Sequence, residues 1–151
     1  MTTAYVGIGS NLDHPRAHVT SAFDELDKLP HTRVVKKSSL YRSAPLGYAA
    51  QPDFVNAVAQ LETGLPAERL LAELQELEAR HGRQRSFANA PRTLDLDLLL
   101  FGDLELRTKA LTVPHPRMRE RAFVLEPLLE IAPHLQFDLN ACKNQKVERI
   151  A

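Results

Sequence analysis

Polar and apolar residues alternate most regularly in "FVNAVAQLET", residues 54–63. Val55, Ala57, Ala59 and Leu61 fall on one face and Phe54, Asn56, Val58 and Gln60 on the other. A period of two predicts a strand with the small and aliphatic set turned inward. Two segments repeat at the helical period instead. "DHPRAHVTSAFDELDKLP" sets Val19, Ala22, Phe23, Leu26 and Leu29 on one stripe. Pro15 suits its first turn, with Asp13 or His14 as the cap. From about Pro66 to His81, Leu70, Leu71, Leu74 and Leu77 form a second stripe, and Gly82 stops it. "AYVGIGS", "RVVKKSSLY" and "RTLDLDLLLF" are short β-rich runs. Gly102-Asp103 is expected to turn the last of them into "LELR" as a hairpin. The order β-α-β-β-α-β predicts an α+β, ferredoxin-like core: an antiparallel sheet with two helices on one face. The opposite face then needs a cover or a ligand. "LTVPHPRMRERAFVLEPLLEIAP" reads as a turn followed by a C-terminal helical segment ending near Pro133. The polar residues after it read as poorly ordered.

The 151 residues fit one domain, 1–151, large enough to bury a core without staples. With 44% hydrophobic and 25% charged residues, the chain has ordinary globular composition. No apolar run approaches the roughly 18 residues that a membrane helix needs. "MTTAYVGIGS" lacks the basic segment and apolar run of a secretory signal. Cys142 is the only cysteine, which excludes an intrachain disulfide. Together these predict a monomer in the cytoplasm, with no membrane partner.

One run departs from simple patterning. In "APRTLDLDLLLFG", strict alternation puts Leu94, Leu96, Leu98 and Leu100 on one face and Asp95, Asp97, Leu99 and Phe101 on the other. A carboxylate in a half-buried strand costs free energy unless it is paired or bound to a cation. Two carboxylates separated by two residues stand about 6–7 Å apart along a strand. That lets both reach one Mg²⁺ or straddle two, with water and phosphate oxygens completing the shells. An exposed strand face pairing with arginines fits the spacing as well. Charge placement tilts the balance. Formal net charge is 0, yet Arg80, Arg83, Arg85 and Arg92 fall in a stretch with no acid. Between Arg107 and Arg121, five Lys or Arg face one acid, Glu120. An acidic centre in a basic surround is what a metal-bound polyanion requires.

Asn56 lies on the non-core face of its strand, two residues after Phe54. Amide donor, amide acceptor and stacking plane could together read a flat polar heterocycle. A solvent-facing Asn beside a packing Phe is the plainer alternative. His115 stands between Pro114 and Pro116 on a stiff segment, suited to a phosphate contact or simply to a rigid turn. "GIGSNL" only partly matches a dinucleotide fingerprint, because Leu12 takes the place of the third glycine. Gly7 and Gly9 are better read as allowing close backbone approach. No GxxxxGK[ST] is present, so a nucleotide would not be held by a P-loop.

"YVGIGSNL", "YRSAPLG", "QPDFVNAV", "APRTLDLDLLLFG" and "LTVPHPRMRERAFVLEPLLEIAP" follow one another here in an order that resembles the 6-hydroxymethyl-7,8-dihydropterin pyrophosphokinases of folate biosynthesis. The resemblance runs from Tyr5 to Pro133, and PRTLDLD followed by LxVPHPRM is highly specific. It implies transfer of pyrophosphate from ATP to the pterin hydroxymethyl group, releasing AMP. By the same resemblance, Asp95 and Asp97 would hold two Mg²⁺. Asn56 would bind the pterin edge with backbone groups of Ser43, Ala44 and Leu46, while Phe54 and Phe123 sandwich the ring. Arg83 and Arg92 would act on the transferring phosphates. Arg85, His115 and Arg121 would hold ATP, and Gln75, Leu98 and Thr112 would line the nucleotide site. Residues 47–51 and 83–90 would close over both substrates. Some members carry Trp in the second of these loops, a basic residue at Ala110 and Tyr at Pro116; this chain has no Trp and reads "SFANAPRT".

Two rivals share the expected fold. A palm-type nucleotidyltransferase would also set two aspartates on the sheet, but would attack the α-phosphorus, and it would have no use for a Phe54/Asn56/Phe123 set. An RNA-binding module would need an aromatic RNP1 pattern, which is absent, and two uncompensated carboxylates on its binding face would repel phosphate. No nucleic-acid partner is therefore expected.

Overall fold

The computed structural model describes residues 1–47, 50–82 and 93–150. The elements run in the order β1 (Thr2–Ser10), α1 (Pro15–Leu26), β2 (Thr32–Lys37), β3 (Tyr41–Ser43), β4 (Phe54–Thr63), α2 (Ala67–Arg80) and β5 (Asp95–Phe101). They continue through β6 (Leu106–Arg107), β7 (Thr112–Val113), α3 (Ala122–Ile131) and β8 (Val147–Arg149). In the main sheet β1 lies between β5 and β4. The far edge of β4 is shared by β2, which pairs with its C-terminal half, and β3, which pairs with its first residues. All these pairings are antiparallel, and the order is that of the ferredoxin-like core expected from the β-α-β-β-α-β pattern. The predicted "RVVKKSSLY" strand is thus two short strands.

The two sheet faces are covered differently. One packs on α1 and α2: Val19, Phe23, Leu26, Leu70, Leu74 and Leu77 meet Val6, Ile8, Ala57, Ala59, Leu61, Leu96 and Leu98. These are the predicted stripes and the inward set of β4. α3 crosses the other face, where Val124, Leu125 and Leu128 bury Tyr5, Val58 and Leu99. It leaves uncovered the sheet around Gly9, Asn56 and Asp95, which is where the cavity described below opens. Pro15 does open α1, but His14 at its N-cap is left-handed (φ 66°) and caps with no side chain. Gly82 ends α2 at φ +82°, a conformation glycine adopts without strain.

Three expectations are corrected. Strict alternation fails in β5: Val6 pairs with Leu98 and Tyr5 with Leu100, so Leu99 is an extra, bulged residue. Leu99 and Leu100 therefore face α3, and Phe101 returns to the helix-packed side, the reverse of the predicted faces for Leu100 and Phe101. The "LELR" segment does not form a hairpin with β5. The Gly102 N–H donates to Thr3, and β6 pairs instead with β7 in a separate two-stranded sheet. Finally, the tail is ordered into the sheet edge: β8 pairs with β3, and Cys142 is buried under α3. Its anchor is Glu130 of α3. That carboxylate accepts hydrogen bonds from the Tyr41 hydroxyl (2.5 Å) and from the Ser39 N–H and hydroxyl, and Arg149 lies 3.6 Å away. No helix among the described residues is long and apolar enough to cross a membrane.

Candidate active site

Register puts the chemistry-bearing residues in rows. Asn56 of β4 lies opposite Gly9 of β1, and Gly9 lies opposite Asp95 of β5. The next row is Val58, Gly7 and Asp97. Residues in a row share a face, so Asn56 and the two aspartates point to the same side, away from α1 and α2. Two strand spacings separate Asn56 from Asp95, about 10 Å. The residues between are glycines, so the floor is bare backbone. A Cβ on Gly9 would sit 3.4 Å from Asn56 Oδ1 and 3.9 Å from the Phe54 ring. The two glycines of "GIGSNL" therefore lie under the side chains of Leu99, Asn56 and Phe54, at ordinary contact distance.

Over this floor opens a cavity of about 180 Å³. Its neutral end is lined by Ser43, Ala44 and Leu46 of the β3 exit, by Phe54 and Asn56, and by Phe123 of α3. Asn56 is only 3% exposed, and its Nδ2 donates to Ser43 Oγ at 2.7 Å. That bond fixes the amide plane and leaves Oδ1 over Gly9. Just before β4, Asn11 Nδ2 donates to Gln51 Oε1 and to the Pro52 carbonyl at 2.8 and 2.9 Å.

The charged end holds Asp95, Asp97, Arg117 and Arg121. Both aspartates are half-buried. The Arg121 guanidinium stacks 5.5 Å from the Phe123 centroid, which links the two ends. His115 stands just outside, with Nε2 4.0 Å from Asp97 Oδ1. Its backbone N–H donates to the Leu99 carbonyl, and its Nδ1 accepts the Arg117 N–H at 3.2 Å. Burial, together with Arg121 and Arg117, pushes the imidazole pKa down against the opposing pull of Asp95. That shift favours the neutral ring, in which an accepting Nδ1 leaves the proton on Nε2, on the side of Asp97.

Other expected residues lie elsewhere. Gln75 is exposed on α2, Leu98 is buried among the α1/α2 core residues, and Thr112 is half-buried in β7; none lines the cavity. The Leu98 side chain is on the wrong face of β5, so only its backbone could meet a ligand there. Arg83, Arg85 and Arg92 lie outside the described residues, as does the loop expected at 83–90. Arg117 lines the cavity but was not singled out in the sequence; its place in the PHPRM run was the available signal.

A profile of the 7,8-dihydro-6-hydroxymethylpterin-pyrophosphokinase (HPPK) family matches residues 5–133. The 2-amino-4-hydroxy-6-hydroxymethyldihydropteridine pyrophosphokinase of Pseudomonas aeruginosa is 48% identical over 97% of this chain and 95% of its own length. The enzyme of the same name from Haemophilus influenzae is 47% identical over 89% of this chain and 84% of its own. Among solved structures, an HPPK-DHPS chain in complex with substrates superposes with a TM-score of 0.69 at 12% identity, covering 95% of this chain. That likeness speaks for the fold alone, and the present chain spans 43% of that longer one. The matched profile spans every quoted motif and the whole cavity lining, so the chain belongs to the 7,8-dihydro-6-hydroxymethylpterin-pyrophosphokinase family.

Proposed function

We propose that the cavity is where this chain performs its family's reaction, the transfer of pyrophosphate from ATP to 6-hydroxymethyl-7,8-dihydropterin in folate biosynthesis. One observation carries the assignment: a neutral, aromatic, hydrogen-bonding pocket and a pair of carboxylates open on the same glycine floor. The pterin lies at the neutral end. Phe54 and Phe123 hold its faces, and Asn56 with the backbone of Ser43, Ala44 and Leu46 reads its edge. Its hydroxymethyl group then extends over Gly9 towards Asp95 and Asp97.

The donor set at the charged end fits a hard cation. No group of three or more His, Cys, Asp or Glu that could hold a metal exists among the described residues, which argues against an all-protein metal cage. Two half-buried carboxylates that leave most of a shell to water and phosphate oxygens suit Mg²⁺. Asp95 and Asp97 would hold two Mg²⁺, which neutralise and orient the triphosphate. Arg121 and His115 hold ATP from the other side, with Arg83, Arg85 and Arg92 assigned to the phosphates by family resemblance. The pterin hydroxyl oxygen bonds to the β-phosphorus and gives up its proton to solvent, the bridge to the α-phosphate breaks, and AMP leaves with the bridging oxygen. The protein contributes alignment and charge neutralisation, the main levers in phosphoryl transfer. The chain works as one domain and as a monomer in the cytoplasm.

Incubation with Mg²⁺, the pterin and γ-³²P-labelled ATP tests this. The label is expected on the pterin product, with AMP as the nucleotide formed. ADP with a labelled monoester would make the enzyme an ordinary kinase; labelled free pyrophosphate with adenylated pterin would make it a nucleotidyltransferase.

A further inference from the structure

Asp95 and Asp97 stand on a strand with a neighbour on one side only. β5 is the edge of the sheet, paired to β1 alone. Edge strands are the least constrained in a sheet, since half their backbone groups have no ladder partner. Yet two carboxylates that share cations need fixed separation and direction. Something other than the ladder must hold this edge.

Among the described residues, the outer edge of β5 is held at two points. One is the Leu99 carbonyl, which accepts the His115 N–H at 2.9 Å. The other is the N–H of Leu96, the residue between the two aspartates, which donates to Glu78 Oε2 at 2.7 Å. Glu78 lies near the end of α2, on the opposite side of the sheet from the cavity. It is 6% exposed, in a helix whose other buried residues are Ala67, Leu70, Leu74 and Leu77. A carboxylate placed among leucines is expensive, and an apolar residue would extend the α2 stripe at less cost. For β5 the carboxylate supplies an acceptor strong enough to hold a strand N–H.

We propose that Glu78 is a positioning residue for the catalytic carboxylates. By holding the Leu96 N–H it fixes the backbone midway between Asp95 and Asp97, and so sets how both side chains meet their cations. The proposal rests on the assignment of Asp95 and Asp97 as metal ligands. Glu78 acts from behind the sheet, on the peptide group between the two aspartates.

The test compares Glu78→Met, which keeps length and apolar packing but removes the acceptor, with Glu78→Gln, which keeps an acceptor carbonyl without the charge. Mn²⁺ binding is read by electron paramagnetic resonance in the presence of a non-hydrolysable ATP analogue. Pterin binding is read separately by calorimetry, and exchange of the Leu96 amide by NMR. Glu78→Met should weaken Mn²⁺ about tenfold, speed exchange at Leu96, and leave pterin affinity within about twofold. Glu78→Gln should restore Mn²⁺ affinity to within about threefold of wild type. Wild-type Mn²⁺ affinity in Glu78→Met overturns the proposal. So does a tenfold loss in a folded Glu78→Gln, a result that decides the matter even if the Met variant fails to fold. Asp97→Ala is the control: if it binds Mn²⁺ like wild type, the metal assignment falls and the Glu78 proposal with it, which no Glu78 result alone could produce.

Discussion

The two ends of the cavity are built on different principles. The neutral end stands on β4, an interior strand flanked by β1 on one side and by β2 and β3 on the other. Its key amide is 3% exposed and already bonded to Ser43. The charged end stands on an edge strand, its aspartates half-buried, held from behind by Glu78 and from the flank by His115. A flat, uncharged heterocycle is told from water only by a dry pocket with preset donors and acceptors. Phosphates and cations arrive hydrated and must exchange ligands, which demands access. Recognition is thus placed where the fold is stiffest, and charge handling where the sheet meets solvent.

The sharpest way to break this division is to remove its charged half. Asp95→Ala and Asp97→Ala should each fold, since neither side chain packs in either core, and should each lose about a thousandfold or more in turnover. Calorimetry should show pterin binding largely intact. Near-normal activity in either variant at saturating Mg²⁺ would dissolve the division.

At the other end, Asn56→Ala should raise the pterin dissociation constant about 10- to 100-fold. It removes the edge contacts and strips the buried Ser43 hydroxyl of its donor, a loss of about 1–3 kcal/mol. Nucleotide binding should hold within about twofold, measured by titration with an ATP analogue.

Gly9→Val probes the floor between the ends. Valine suits a strand, but its side chain would fill the space beside Asn56 and Phe54. We expect a fold of normal stability, pterin binding weakened about tenfold, and ATP binding unchanged. Equal weakening of both ligands would mean that the floor serves the two ends jointly.

The smallest effect concerns acid. Burial works against ionisation of Glu130, but hydrogen bonds from Tyr41 and Ser39, with Arg149 nearby, outweigh it and hold the carboxyl below its usual pKa. A depressed pKa stabilises the fold above the unfolded value of about 4.5 and loses that contribution as pH falls towards the folded value. Glu130 joins β3, which leads into the pterin wall, to α3, which carries Phe123. Acid should therefore loosen the neutral end. Glu130→Gln should cost about 1–2 kcal/mol at pH 7 and flatten the stability profile below pH 4.5, as followed by urea melts. A parallel profile in the variant would refute the linkage.

How far these features could be read beforehand follows from the range of the forces involved. Local periodicity sufficed for α1, α2 and both faces of β4, because each stripe reports its own burial. It failed in β5 at Leu99: the three consecutive leucines 98–100 carry no polar marker of which one is extra. The partner of "LELR" depended on β7, and the order of the tail on Glu130 and Tyr41, residues far apart in sequence. At the site, Asn56, Phe54, Asp95 and Asp97 were legible from alternation, and Phe123 came from family resemblance. Glu78 was hidden in plain view: its position fits the helical stripe, and its burial and its contact to Leu96 are tertiary facts that no local pattern reports.

The bulge at Leu99 bears on how this strand tolerates the gain or loss of a codon. It lies two residues past Asp97 and two before the end of β5, so it separates a chemical half from a packing half. Deleting Leu99 would restore strict alternation beyond Leu98. Leu100 and Phe101 would then keep the faces and partners they have now, opposite Tyr5 and Ala4, and Asp95 and Asp97 would keep their register against Gly9 and Gly7. Such a lesion would take one leucine from under α3 and spare both the register and the reaction geometry. The same deletion between residues 95 and 97 would turn one aspartate into the leucine core. Length changes in this seven-residue strand thus come in two kinds, and the bulge marks where one gives way to the other.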